Sequence, residues 1–73
     1  MTSKELGAIT RQARQAQGLR QEQLAAAAGV GVRFIVELER GKTTVRLSKV
    51  LAVLDALGYH LRVVGPSPNG TEL

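Results

Sequence analysis

An all-α fold, four short helices followed by a single C-terminal β-strand, is predicted by three features of this 73-residue chain. Apolar residues recur at helical spacing in successive stretches, and each stretch stops at a glycine. In "YHLRVV" the apolar period falls to two, which is strand patterning. The chain is also short enough for only one small core, and with no cysteine neither a disulfide nor a thiolate metal site can staple it. Association with a second copy is the remaining way to bury more surface.

The first helix is expected over residues 3–17. Thr2 and Ser3 are capping residues, Glu5 can reach back to them, and Leu6, Ile9, Ala13 and Ala16 share a face up to Gly18. The second carries Leu24, Ala25 and Ala28 and ends at Gly29; its alanines let another helix approach closely. The third puts Ile35 and Leu38 on one face, with Phe34 and Val36 beside them, and ends at Gly41. Thr43 or Thr44 is the expected cap of the fourth, whose stripe of Leu47, Val50, Leu51, Leu54 and Leu57 runs to Gly58. Residues 59–64 are the strand, and the turn-forming tail, residues 65–73, is expected to be disordered.

Charge narrows the partner. A formal net charge of +4 suits a polyanion. Phe34 and Tyr59 are the only aromatic residues, too few for the stacking platforms of single-strand and RNA binders, so duplex DNA is the better fit. Enzymatic chemistry finds no support: cysteine is absent, His60 and Asp55 are each the only one of their kind, and no phosphate-cradling glycine loop is present. His60 has no companion ligand, so neither a metal nor any other cofactor is expected. "MTSKELGAITRQ" contains no apolar run long enough for a signal peptide or a membrane span, and a cytoplasmic protein with no membrane partner is expected.

The stretch "GLRQEQLAAAAGVGVRFIVELERGK" places two short helical patterns around a tight glycine turn, where one long helix would bury the same side chains. Such a bend holds the second helix out from the body, so that its first residues can enter the major groove of DNA. The residues Arg14, Gly18-Leu19, Gln21, Leu24-Ala25, Gly29, Ile35, Leu38-Glu39 and Gly41-Lys42 resemble the Cro/C1-type (XRE-like) helix-turn-helix family. The resemblance covers residues 8–62 within a domain of residues 1–64, with the motif proper at 21–40, and implies a small λ-repressor-like fold. The ending "LERGKTTVRLSKVLAVLDALGYHLRVV" is similar to the HipB-type subset, in which a C-terminal strand follows the last helix.

The family's base-reading positions correspond to Val32 and Arg33. Arginine can bind guanine O6 and N7 through its fork, and valine can meet a thymine methyl. Glu37, one turn on, faces the same side and can accept from cytosine N4. Gln21 occupies the family's phosphate-anchoring position, while Gly31 can let the backbone approach a phosphate. Arg40, Lys42 and Thr43 form a basic flank suited to the DNA backbone. Each also has a plainer reading as a solvated or turn residue. Arg14 and Glu39 hold positions that the family joins in a partly buried salt bridge. Arg20 departs from the pattern: the family usually has a Ser, Thr or Asn cap there, and arginine has no acceptor for the free amides of the second helix. Tyr59, Leu61 and Val63 would lie on one face of the strand. With no second strand in the chain, that strand should pair with its copy in a homodimer reading an inverted-repeat operator. The function implied is a dimeric, sequence-specific repressor; the alternative is an antitoxin that neutralises a kinase-like toxin.

Overall fold

The fold starts at a hydroxyl. In the computed structural model, which describes residues 1–66, Thr2 Oγ1 accepts from the Glu5 amide at 3.1 Å and donates to the Glu5 carboxylate at 3.2 Å. Helix α1 (Ser3–Ala16) runs from this cap. It is followed by α2 (Gln21–Ala28), α3 (Val32–Glu39) and α4 (Leu47–Ala56). Each helix closes in the same way, with a glycine at positive φ and a pair of turn hydrogen bonds back to the last carbonyls. At Gly29, φ +70° turns the chain between α2 and α3, and the Val30 amide returns to the Ala25 carbonyl at 3.0 Å.

Leu24, Ala25, Ile35, Leu38, Val50, Val53, Leu54 and Leu57 form the core with Ala13, and α2 packs against both α3 and α4. The face that α1 buries differs from the expected one. Ala13 is buried, but Leu6 and Ile9 are half-buried and Ala16 is exposed; the other buried positions are Gly7, Thr10 and Arg14. These are small or polar because α1 lies directly against the last turn of α3. A methyl at Gly7 would run into the Leu38 carbonyl oxygen and come within 3.0 Å of that of Glu39. Thr10, fully buried, satisfies its hydroxyl by donating to the Leu6 carbonyl at 2.9 Å. Gln17 Nε2 donates to the Leu57 carbonyl at 2.9 Å and ties the end of α1 to the end of α4.

Two expectations are corrected around α4. Thr43 and Thr44 do not cap it: the N-cap is Arg46, with no side-chain hydrogen bond to the helix. The buried stripe is Val50, Val53, Leu54 and Leu57, while Leu47 and Leu51 are 61% and 42% exposed. They sit on one flank of the helix, beside the stripe that faces α2. The strand expected over residues 59–64, with Tyr59, Leu61 and Val63 on its face, is one that pairs with a second copy, and the single chain offers it no neighbouring strand among the described residues. Residues 59–63 carry no regular secondary structure and Val64 makes an isolated bridge. A strand needs a neighbour for its amides and carbonyls, and the elements that precede it here are all helices. Of the tail expected to be disordered, residues 67–73 lie outside the described residues.

Candidate nucleic-acid interface

Helix α3 is anchored from behind by Ile35 and Leu38, 0% and 1% exposed, and this fixes which side faces outward. On the outer side stand Val32 and Arg33 at the start, Glu37 one turn on, and Arg40 at the end. Val32 is 45% exposed although apolar, so its side chain is available for contact. The Arg33 guanidinium is exposed and makes no hydrogen bond or ion pair among the described residues. All three expected base-reading residues therefore share one outward face.

Gly31, the N-cap of α3, has φ −73°, which any residue adopts, and nothing lies within 4 Å of where a Cβ would stand. The turn does not require glycine there. What its absent side chain leaves is an open approach to the backbone at the head of the helix. At the head of α2, Arg20 offers no cap, as its chemistry dictates. Gln23 provides half of one, accepting from the Arg20 amide at 2.8 Å, and the amides of Gln21 and Glu22 have no acceptor among the described residues. Arg20 itself makes a loose, exposed ion pair with Glu22 at 3.5 Å.

Arg14 and Glu39 meet in two parallel hydrogen bonds, Nε to Oε2 at 2.7 Å and an Nη to Oε1 at 3.0 Å, with side chains 11% and 4% exposed. The other guanidinium nitrogen donates to the Leu19 carbonyl at 2.8 Å. Arg14 thus ties α1 to α3 and to the loop ahead of α2. The bond to Glu39 raises the Arg14 pKa against the opposing effect of burial, aided by the charges of Glu39 and Glu22. Gln21 joins this group, its Nε2 donating to Glu39 Oε1 at 3.2 Å. The side chain expected to face a phosphate is therefore partly spent on the scaffold, although its backbone amide remains open.

On the flank, Lys42 Nζ lies 2.9 Å from Glu37 Oε2, while Thr43 is exposed. The Lys42 hydrogen bond, with the nearby charges of Lys42, Arg33 and Arg40, holds the Glu37 carboxyl below the usual carboxylate range against a smaller opposing effect of burial. Two side chains enter the site that the sequence did not single out. Arg11 and Val36 line an open cleft of about 370 Å³ with Arg14, Gln21, Glu39 and Arg40, between α1 and α3. The signal for Arg11 was its position three residues before Arg14, on the same side of α1. Lys49 lies over the Phe34 ring, 5.7 Å from its centre. Tyr59, Leu61 and Val63 are 45%, 49% and 54% exposed, away from this face of α3 in sequence and beyond α4. Among the described residues no cluster of His, Cys, Asp or Glu could hold a metal ion, and no helix is long and apolar enough to cross a membrane.

Comparison with known proteins gives a consistent picture. The family model described as helix-turn-helix (HTH_3) matches residues 11–64. The sequence is 49% identical over 65 residues to an uncharacterised HTH-type transcriptional regulator, y4mF, of Sinorhizobium fredii, covering 89% of this chain and 86% of that one. Among solved structures it is similar to the restriction-modification controller protein C.AhdI from Aeromonas hydrophila, with 33% identity, a TM-score of 0.72, and 80% and 88% of the two chains covered. The clp gene regulator ClgR from C. glutamicum matches with 33% identity, a TM-score of 0.74, and 84% and 78% coverage. A chain of the HipA-HipB-O2-O3 complex shares the fold, at a TM-score of 0.81 and 19% identity over 92% of this chain and 94% of that one.

Proposed function

This chain belongs to the helix-turn-helix family of DNA-binding transcriptional regulators, and on that footing we propose that it is a cytoplasmic, homodimeric, sequence-specific repressor that acts by binding and not by catalysis. The observation that carries the reading is the outward face of α3: Val32, Arg33 and Glu37 stand exposed or half-exposed over a buried Ile35–Leu38 seam. Arg33 reads a guanine, Val32 a thymine methyl, and Glu37 a cytosine amine. The Gln21 amide, the open backbone at Gly31, and Arg40 and Thr43 grip flanking phosphates, with Lys42 adding the donors that Glu37 leaves it. The domain is residues 1–64, and the partner is an inverted-repeat duplex.

Competition titrations against an enriched duplex test the assignment. Arg33→Ala should cost about 1–3 kcal/mol and relax the choice at one base pair, and wild-type binding should weaken steeply with salt. An equal loss on specific and non-specific duplexes would refute base reading by Arg33. A second reading, an antitoxin that binds a kinase-like toxin, is favoured by the resemblance of residues 38–64 to HipB-type endings. Its test is recovery from native extract of a protein whose kinase activity falls when this chain is added.

A further inference from the structure

On the exposed face of α3 the acidic side chain has three cationic neighbours, Arg33, Arg40 and Lys42. Arg33 stands four residues before Glu37, the spacing at which helical ion pairs form. Yet the hydrogen-bonded ion pair joins Glu37 to Lys42, five residues later and past the end of the helix. The turn explains the choice. The Lys42 amide donates to the Glu37 carbonyl at 3.1 Å and the Gly41 amide to the Leu38 carbonyl at 3.0 Å, so the chain doubles back and sets the two residues side by side. Gly41 adopts φ +85° to allow this, with its backbone against Lys4. The result is that Arg33 makes no hydrogen bond or ion pair among the described residues and keeps its fork available.

A carboxylate carried bare into the major groove would be repelled by the phosphates on both sides. Paired with an ammonium at 2.9 Å, it arrives as a neutral unit with Oε2 occupied and Oε1 without a hydrogen bond among the described residues. An ionised carboxylate only accepts hydrogen bonds. Cytosine presents an N4 donor in the groove; adenine sets its N6 donor beside the N7 acceptor, which would face the carboxylate lone pairs. We propose that Lys42 is a positioning residue for base reading, which neutralises and orients Glu37 so that Oε1 selects a cytosine amine while Arg33 stays free for guanine. This rests on the DNA-reading function proposed above and assigns Lys42 a role beyond that of a backbone clamp.

The test is enrichment of a random duplex library by the wild type and by Glu37→Ala, Lys42→Ala and Lys42→Arg, followed by titration of the enriched duplexes. Thermal melts should confirm that each surface variant stays folded. The wild-type motif should contain a cytosine in each half-site, favoured about tenfold over other bases. That preference should vanish in both Glu37→Ala and Lys42→Ala, survive in Lys42→Arg, and leave the guanine choice intact throughout. The proposal falls if Lys42→Ala keeps the cytosine while weakening all duplexes alike with a salt slope smaller by about one, the mark of a plain phosphate contact. It falls equally if Glu37→Ala leaves every preference unchanged. A wild-type chain that enriches no motif would instead refute sequence-specific DNA reading itself, which separates the two failures.

Discussion

At the scale of single residues, two ion pairs of similar length do different work. Arg14–Glu39 is 2.7 Å long and nearly closed to solvent, and Lys42–Glu37 is 2.9 Å long and open to it. Removing one partner of the buried pair strands the other charge, so Arg14→Ala and Glu39→Ala should each cost about 3 kcal/mol, with the double variant losing much less than the sum. Additive losses in chemical denaturation would show that the pair is not coupled. The open pair is a matter of titration. Because Lys42 depresses the Glu37 pKa, its stabilising effect is present above the ordinary glutamate value of about 4.3 and is lost as pH falls through the lower folded value. In Lys42→Ala the Glu37 midpoint, followed by carboxyl NMR, should rise toward that ordinary value. An unmoved midpoint would mean that Lys42 is not the cause. Arg14–Glu39 was legible in the sequence because both residues belong to the motif that marks the family. Lys42–Glu37 was not, since a contact five residues apart depends on the turn at Gly41 and not on helical spacing.

At the scale of elements, the ends of the helices were the legible part. Every glycine stop, at 18, 29, 41 and 58, ends a helix, because only a residue free to take positive φ completes that turn without strain. The buried face of α1 was hidden because Gly7, Thr10 and Arg14 are a poor apolar signal: what they bury is backbone contact with α3. The start of α4 was misread for the opposite reason, since Thr43 and Thr44 are good caps and stand too early in the chain. The start of α2 lacks the cap that its geometry would accept: Arg20 is already extended, φ −83° and ψ 163°, as an N-cap must be. Arg20→Ser should therefore stabilise the domain by about 1 kcal/mol through a new bond to the free amides of the first turn. A melting temperature that does not rise would show that the hydroxyl finds no such amide.

At the scale of the whole molecule, the core closes on the inner faces of the helices and leaves an apolar surface behind it. Leu47 and Leu51 on the flank of α4, with Tyr59, Leu61, Val63 and Val64 beyond it, are all at least 42% exposed. A domain this small gains from covering exposed apolar side chains. The period of two in residues 59–64 says what kind of cover is needed: a neighbouring strand for the backbone and an apolar face for the alternate side chains. Since the four helices before it cannot supply one, a second copy of the same segment, antiparallel about a two-fold axis, is the simplest source. Symmetry then extends to DNA, where paired α3 helices should reach successive major grooves about 34–36 Å apart, on half-sites one helical turn from centre to centre. Leu61→Pro removes one ladder donor and crowds the pair. It should sediment as a monomer and lose binding to the inverted repeat far more than to random duplex, with the helical core unchanged by circular dichroism. A wild-type chain that sediments as a monomer at tens of micromolar would remove the basis for both the strand pairing and the spacing of the half-sites.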